Sequence, residues 1–449
     1  MSQALPKGES LTGRATWLMF AKTAGFLFSF ALPLLLVRRM DQEQYGLYKQ
    51  TFLIVVTAMT ILPMGFGMSA YYFLPREPAK RKQVVLNIML VNVAIGALAC
   101  CALFLFPSLL TLIFGQAQLA AYARGIGLTI LFWIVGAFLE MAPVANEEIK
   151  LATTFILCTH ASRAAVFLSA AAIFGTLQSL IYAAIIHGAV QIAVLTGYLE
   201  SRFPGFWRSF DWSMLGRQLS YSVPLQSAVM LLTMQTDLHN YFVANRFGAA
   251  MFATYTFGTL QLPLMGLVQE ATNSVLIPRV ALLQLQEEHR EIVLLIARAA
   301  RKLAALYFPM YALFLVVGRE FIEFLFTKRY ADAWPIFAVN LTLLPLNILV
   351  LDPVFRAYKS ERFFQLRLRL VLVSILIAVL WLWTRPLGMI GVIGVVVGIN
   401  IVERAITAFH FGKLLGVNRH DIGLATDIGK VALASLAAGA VCATVRLFI

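Results

Sequence analysis

Charge is what this sequence has least of: Asp, Glu, Lys and Arg make up 13% of its 449 residues, about half the share in a soluble domain. That excludes the two or three soluble domains that the length alone would suggest. Acid is scarcer than base, with 22 Asp+Glu against 36 Lys+Arg and a net charge of +14. In a soluble protein such an excess points to nucleic acid; in so apolar a chain it reads as a membrane topology signal, and no nucleic-acid partner is expected. The four cysteines are Cys100 and Cys101, adjacent in one apolar run, and Cys158 and Cys442, each alone in another. They offer neither metal-ligand spacing nor a disulfide framework, so inert thiols are expected. A Walker loop, an HExxH or GxSxG motif, and an external loop longer than about 12 residues are missing too. That leaves no room for an external catalytic domain, and no catalytic residue, metal or cofactor is expected. The polar first ten residues and the lack of a small-residue cleavage site argue against a cleavable leader.

What the chain has is apolar length: 60% hydrophobic residues and a mean hydropathy of +0.80. A spanning helix takes about 20 mostly apolar residues. Segments near 15–37, 50–74, 84–106, 119–142, 151–174, 178–199, 219–243, 250–276, 303–326, 333–355, 366–384, 387–411 and 429–448 qualify. The expected fold is therefore an all-α polytopic membrane protein of about thirteen transmembrane helices, since lipid offers unpaired backbone groups no partner. With the N-terminus inside, the cytoplasmic loops carry 20 Lys and Arg and the opposite side 7. That asymmetry predicts a cytoplasmic N-terminus. Residues 281–302 read as an amphipathic cytoplasmic helix.

A shift of 212 residues aligns two stretches without gaps: Phe114 meets Phe326, Ala121 meets Ala333, Glu140 meets Asp352 and Ala145 meets Ala357. A repeat of this period predicts two pseudo-symmetric six-helix lobes, 1–200 and 218–415, joined by a cytoplasmic linker at 201–217. Residues 416–449 supply the appended C-terminal span. Lobes related in this way enclose a central cleft near the midplane and rock to give alternating access.

Nine basic residues fall within or at the ends of spans, and those near ends, Arg367 and Arg369 among them, can snorkel. Lys22, Arg163 and Arg404 lie too deep; Arg163 sits roughly 18 Å into its span. A charge at such depth costs about 2.5–3.5 kcal/mol on insertion scales, so it should face a cavity or pair with an acid such as Glu403. In the seventh span Ser222, Gln226, Thr233, Asp237 and Asn240 share one helix face, and in the fifth Thr153, His160 and Arg163 do. Cavity lining is expected for these, and interhelical glue for Asn400, Glu403, Arg404 and Thr407 of the twelfth. The candidate set for an anionic sugar ligand is Lys22, Arg163, His160, Gln226, Thr233, Asn240 and Arg404. The buried acids Asp237, Glu140, Glu270, Asp352 and Glu403 are candidates for ion coupling or gating.

The turn Arg38-Arg39-Met40-Asp41-Gln42-Glu43-Gln44-Tyr45-Gly46-Leu47-Tyr48 resembles the R-x(n)-E-Y-G-x-Y turn of bacterial polysaccharide flippases. Arg246-Phe247-Gly248-Ala249-Ala250-Met251-Phe252-Ala253-Thr254-Tyr255 is its second-half counterpart, with Phe252-Ala253 in place of Tyr-Gly. Glu320–Phe326 with Tyr330 and Ala333 is similar to the same group. The chain thus resembles the polysaccharide-transporter (Wzx-like) branch of the multidrug/oligosaccharidyl-lipid/polysaccharide (MOP) flippase superfamily. The resemblance implies a V-shaped two-lobe protein of the bacterial inner membrane. It also implies carriage of an undecaprenyl-pyrophosphate-linked oligosaccharide to the periplasmic leaflet for surface polysaccharide synthesis. Expected partners are that lipid-linked oligosaccharide, membrane lipid and polysaccharide polymerase or assembly proteins, with the transporter itself a monomer. A MATE-like drug or cation antiporter is the alternative, which should show an acidic cleft. A membrane glycosyltransferase or polymerase is a further one, and would need a long external loop.

Overall fold

The computed structural model describes residues 31–358, 361–418, 421, 423 and 426–448. Lys22 and most of the first predicted span lie outside them. Every regular element among the described residues is helical, and the chain is an all-α membrane protein. By length and composition seven described helices can cross a membrane, or eight when the pair Gln42–Ile61 and Phe66–Arg76, bent by 44°, counts as one. Contacts divide the chain into two compact units. One runs to Thr233 and includes Gly248–Ala250; the other comprises Met234–Phe247 and the chain from Met251.

The first unit is built from α1 (Gln42–Ile61), α2 (Ser69–Arg76), α3 (Arg81–Leu105), α4 (Ser108–Phe114), α5 (Ala123–Gly136), α6 (Phe138–Ala145), α7 (Ile149–Ile173) and α8 (Leu177–Arg202). The Asp41 side chain caps α1 by accepting from the Gln44 amide at 2.7 Å, and Thr176 caps α8 through the Ser179 amide at 3.2 Å, each satisfying an orphan donor of a first turn. Helix α5 lies against α3 and α8, and α7 against α8. The aromatic side chains Phe66, Phe73, Phe138 and Phe206 are buried together in its core. At Gly46 a side chain would overlap the Ala249 carbonyl, which is why the turn motif carries glycine there.

Helix α9 (Trp212–Gly258) breaks at Gly248, whose φ of 83° and ψ of 174° a side chain would strain. The second unit continues with α10 (Pro263–Leu285), α11 (His289–Phe326), α12 (Trp334–Leu341), α13 (Leu343–Leu346), α14 (Asp352–Ala357) and α15 (Glu361–Leu414), which breaks at Gly388. Last comes α16 (Thr426–Phe448), which packs along α11. Gly439 of α16 approaches Ala312 so closely that a Cβ would sit 3.1 Å from the Ala312 Cβ. Ion pairs from Arg290 to Asp421 and from Arg301 to Asp427 tie the incoming loop to the start of α11.

The 212-residue offset is visible in the backbone. Phe114 and Phe326 each end a helix and are buried, and the residue after each has positive φ: 65° at Gly115 and 75° at Thr327. A short 3-10 segment follows in both, Ala117–Tyr122 and Lys328–Ala333. Adding 212 to the ends of α7 and α8 gives Glu361 and Leu414 at the two ends of α15, whose break at Gly388 lies next to the position matching Leu177. The turn motif repeats its packing too: Tyr45 and Tyr48 are buried in the first copy, Phe252 and Tyr255 in the second.

Candidate functional site

Among the described residues two predicted spans are interrupted, and a polar side chain from another helix holds each interruption. Between α1 and α2 the chain passes through Met64 and Gly65 with φ of 46° and 63°, leaving C-terminal carbonyls of α1 without intrahelical donors. The Gln226 amide donates to the Thr60 carbonyl at 3.0 Å and supplies one. In the second unit the chain between α13 and α14 is not helical. There the Arg404 guanidinium donates to the carbonyls of Leu346 at 2.7 Å and Leu349 at 3.3 Å, and to the Asn347 side-chain oxygen at 2.7 Å. Broken helices are tolerated in lipid where such groups re-satisfy the backbone. Both Gln226 and Arg404, sequence candidates for a ligand, are therefore engaged in holding span breaks.

Glu403 acts on Arg404 electrostatically but makes its ion pair elsewhere. It forms an ion pair with Arg369 at 3.1 Å and accepts from the Gln235 amide at 2.5 Å. Arg369, near a span end, binds inward to this acid rather than snorkelling. The remaining residues of the seventh-span stripe stand in α9. Thr233 donates back to the Val229 carbonyl at 3.1 Å. Asp237 accepts from the Thr236 hydroxyl, and Asn240 is half-buried. His239, on another face of α9, lies 2.8 Å from the buried Tyr255 hydroxyl.

Arg163 has a different setting. From α7 its Nη2 donates to His160 Nδ1 at 2.9 Å, one turn earlier. The guanidinium lies over the Trp133 ring at 5.8 Å from the centroid, a cation–π placement. Trp133 is fixed by its indole N–H, which donates to the Ala184 carbonyl at 2.9 Å. Glu140 and Tyr48 act on Arg163 electrostatically. His187 of α8 donates from Nε2 to the Thr159 carbonyl at 3.1 Å, and its buried Nδ1 has no hydrogen-bond partner. Phe52, Trp133 and Phe167 form the aromatic wall beside this group, with centroids 5.6–6.3 Å apart. Arg163 and His160 are thus brought together with Glu140. Trp133, Tyr48 and His187 are additions that sequence spacing did not single out, although Tyr48 closes the turn motif.

In the second unit Glu270 lines a cavity of about 420 Å³ with Gly266, Gln269, Asn273, Ser274, Ile277 and Arg356. Asp352 stands beside it, paired with Arg356 at 2.9 Å. Apart from Glu270, the polar stripe on α10 was missed because it is interleaved with Leu, Val and Ile and carries a single charge. Among the described residues no cluster of three or more His, Cys, Asp or Glu could hold a metal ion.

A chain of many apolar helices with cations and amides held inside it is a multi-pass membrane protein, and its fold is shared with solved structures. The fold is similar to that of the lipid II flippase MurJ in an inward closed conformation, with a TM-score of 0.70, 13% identity, and 93% of this chain and 91% of that one covered. It is similar as well to an inward-facing multidrug resistance MATE family transporter of the MOP superfamily (TM-score 0.64, 14% identity, 87% and 94% covered). A third is a MOP superfamily transporter from Pyrococcus furiosus (TM-score 0.59, 14% identity, 89% and 94% covered). No curated protein matches the sequence. Residues 16–335 match the family model described as polysaccharide biosynthesis protein, and the chain belongs to that family.

Proposed function

We propose that this protein is a flippase that carries an undecaprenyl-pyrophosphate-linked oligosaccharide from the cytoplasmic to the periplasmic leaflet of the bacterial inner membrane. It works as a monomer, with its N-terminus cytoplasmic, and supplies surface polysaccharide synthesis. Membership of a polysaccharide biosynthesis family and a fold shared with MOP transporters support this reading. The observation that carries it is Arg163. A guanidinium deep in a membrane helix normally pairs with a carboxylate, and even Arg369, near a span end, pairs with Glu403. The hydrogen-bond partner of Arg163 is instead a neutral imidazole nitrogen, and an indole face lies beneath it. Such a cation keeps donors for an arriving anion, and Arg donors match phosphate oxygens bidentately. Lys22 of the first span is the second cation assigned to the pyrophosphate. Asp237, Glu140, Glu270, Asp352 and Glu403 remain the acids through which an ion gradient would drive the cycle, Asp237 foremost.

The two repeats act as the two lobes, 1–200 and 218–415, and rocking them about a central cleft exposes the cargo first to one side and then to the other. Flipping of a fluorescent undecaprenyl-pyrophosphate glycan into the outer leaflet of proteoliposomes tests the assignment. Arg163→Ala and Lys22→Ala should each reduce flipping at least about tenfold while insertion and melting temperature stay near wild type, and Arg163→Lys should recover part of it. Wild-type flipping in both alanine variants would overturn the assignment. A MATE-like antiporter would instead lose cation export in Asp237→Asn and be indifferent to Arg163.

A further inference from the structure

We propose that the cavity along α10 is a carbohydrate subsite, which grips the sugar headgroup of the cargo. The inference rests on the flippase reading and extends it to residues with no assigned role. Gly266, Gln269, Glu270, Asn273, Ser274 and Ile277 follow one another at steps of three and one, which places them on a single face of α10. They run about 16 Å along the helix axis. A polar face of that length on a helix is commonly met by a polar face of a neighbour. Here it borders open volume of about 420 Å³, within the roughly 300–1,000 Å³ of small-molecule sites.

The lining fits polyhydroxylated rings. Sugar hydroxyls donate and accept at once, as do the carboxamides of Gln269 and Asn273 and the hydroxyl of Ser274, while a carboxylate and a guanidinium supply the stronger charge-assisted pairs. The Asn273 side-chain oxygen is shut off from solvent and has no hydrogen-bond partner, and an acceptor in that state is costly until something donates to it. Arg356 closes one end and is oriented by Asp352 at 2.9 Å. Among the described residues of the wall, Ile277 is the one apolar side chain and none is aromatic, which disfavours a flat apolar drug. A single carboxylate is too few for a metal site.

The full-length protein in nanodiscs is titrated with undecaprenyl pyrophosphate and with the same lipid bearing chitobiose. The sugar-bearing lipid should bind about tenfold tighter, which one or two net hydrogen bonds supply. Asn273→Leu should erase that advantage and leave affinity for the bare lipid unchanged. Gly266→Leu is the second variant: a Cβ there meets nothing within 4 Å and Leu favours a helix interior over Gly, so it fills the cavity without disturbing the fold. An advantage that survives in both variants, or is missing from wild type, overturns the subsite. Failure of the bare lipid to bind overturns the pyrophosphate reading, and the subsite falls with it.

Discussion

At the scale of single residues, deep cations in this protein divide by what they touch. Arg404 is consumed by carbonyls and an amide oxygen, Arg369, nearer a span end, pairs with a carboxylate, and Arg163 gives one donor to an imidazole nitrogen and lies over an indole ring. Depth is legible in the sequence, because hydropathy places each charge within its span. The surroundings are not, except where they lie on the same helix: His160 is one turn from Arg163 and shares its face, whereas Trp133 and His187 arrive from α5 and α8. Outside the spans Asp211 gives a residue-scale expectation. Its carboxylate accepts from the Met214 amide at 3.1 Å and pairs with Lys80 at 3.1 Å, and these contacts, the amide first, hold its pKa below the usual value. A carboxyl lowered in the folded state adds stability above its unfolded pKa of about 3.9 and loses it as pH falls through the folded value. Asp211→Asn keeps an acceptor for the helix cap but loses the charge. Its melting temperature should lie below wild type at pH 7, and the two curves should converge as pH drops below about 4.

At the scale of elements, the interrupted spans set the pattern. Prolines inside apolar segments announce bends, and Pro63 and Pro345 do stand at or beside the interruptions. The residue that rescues each break is 166 positions from its acceptor in one case and 58 in the other, so no local signal could name it. A donor serving two freed carbonyls should matter to the fold before it matters to transport. Arg404→Met should destabilise the protein by about 2–3 kcal/mol, read as an earlier thermal transition in detergent, while Arg163→Met leaves that transition nearly unmoved. The opposite ranking would mean that Arg163 is the structural cation.

At the scale of the whole molecule, basic residues predict the orientation. In a background without native cysteines, Asp332→Cys should react with a membrane-impermeant maleimide added to intact cells, and Ser209→Cys should react only after the membrane is opened. Reversed labelling would invert the topology and with it the direction of transport. Helical class and span positions are readable from hydropathy alone, and the repeat from a handful of matched positions; its extent emerges only in helix ends and in the shared positive φ at Gly115 and Thr327. That offset also exposes an asymmetry. Adding 212 to Arg163, His160 and His187 leads to Ile375, Leu372 and Ile399, so the scaffold is written twice and the proposed anion seat once. For the proposed flippase, duplicate halves with a single seat for the pyrophosphate build in a stoichiometry of one lipid per turnover.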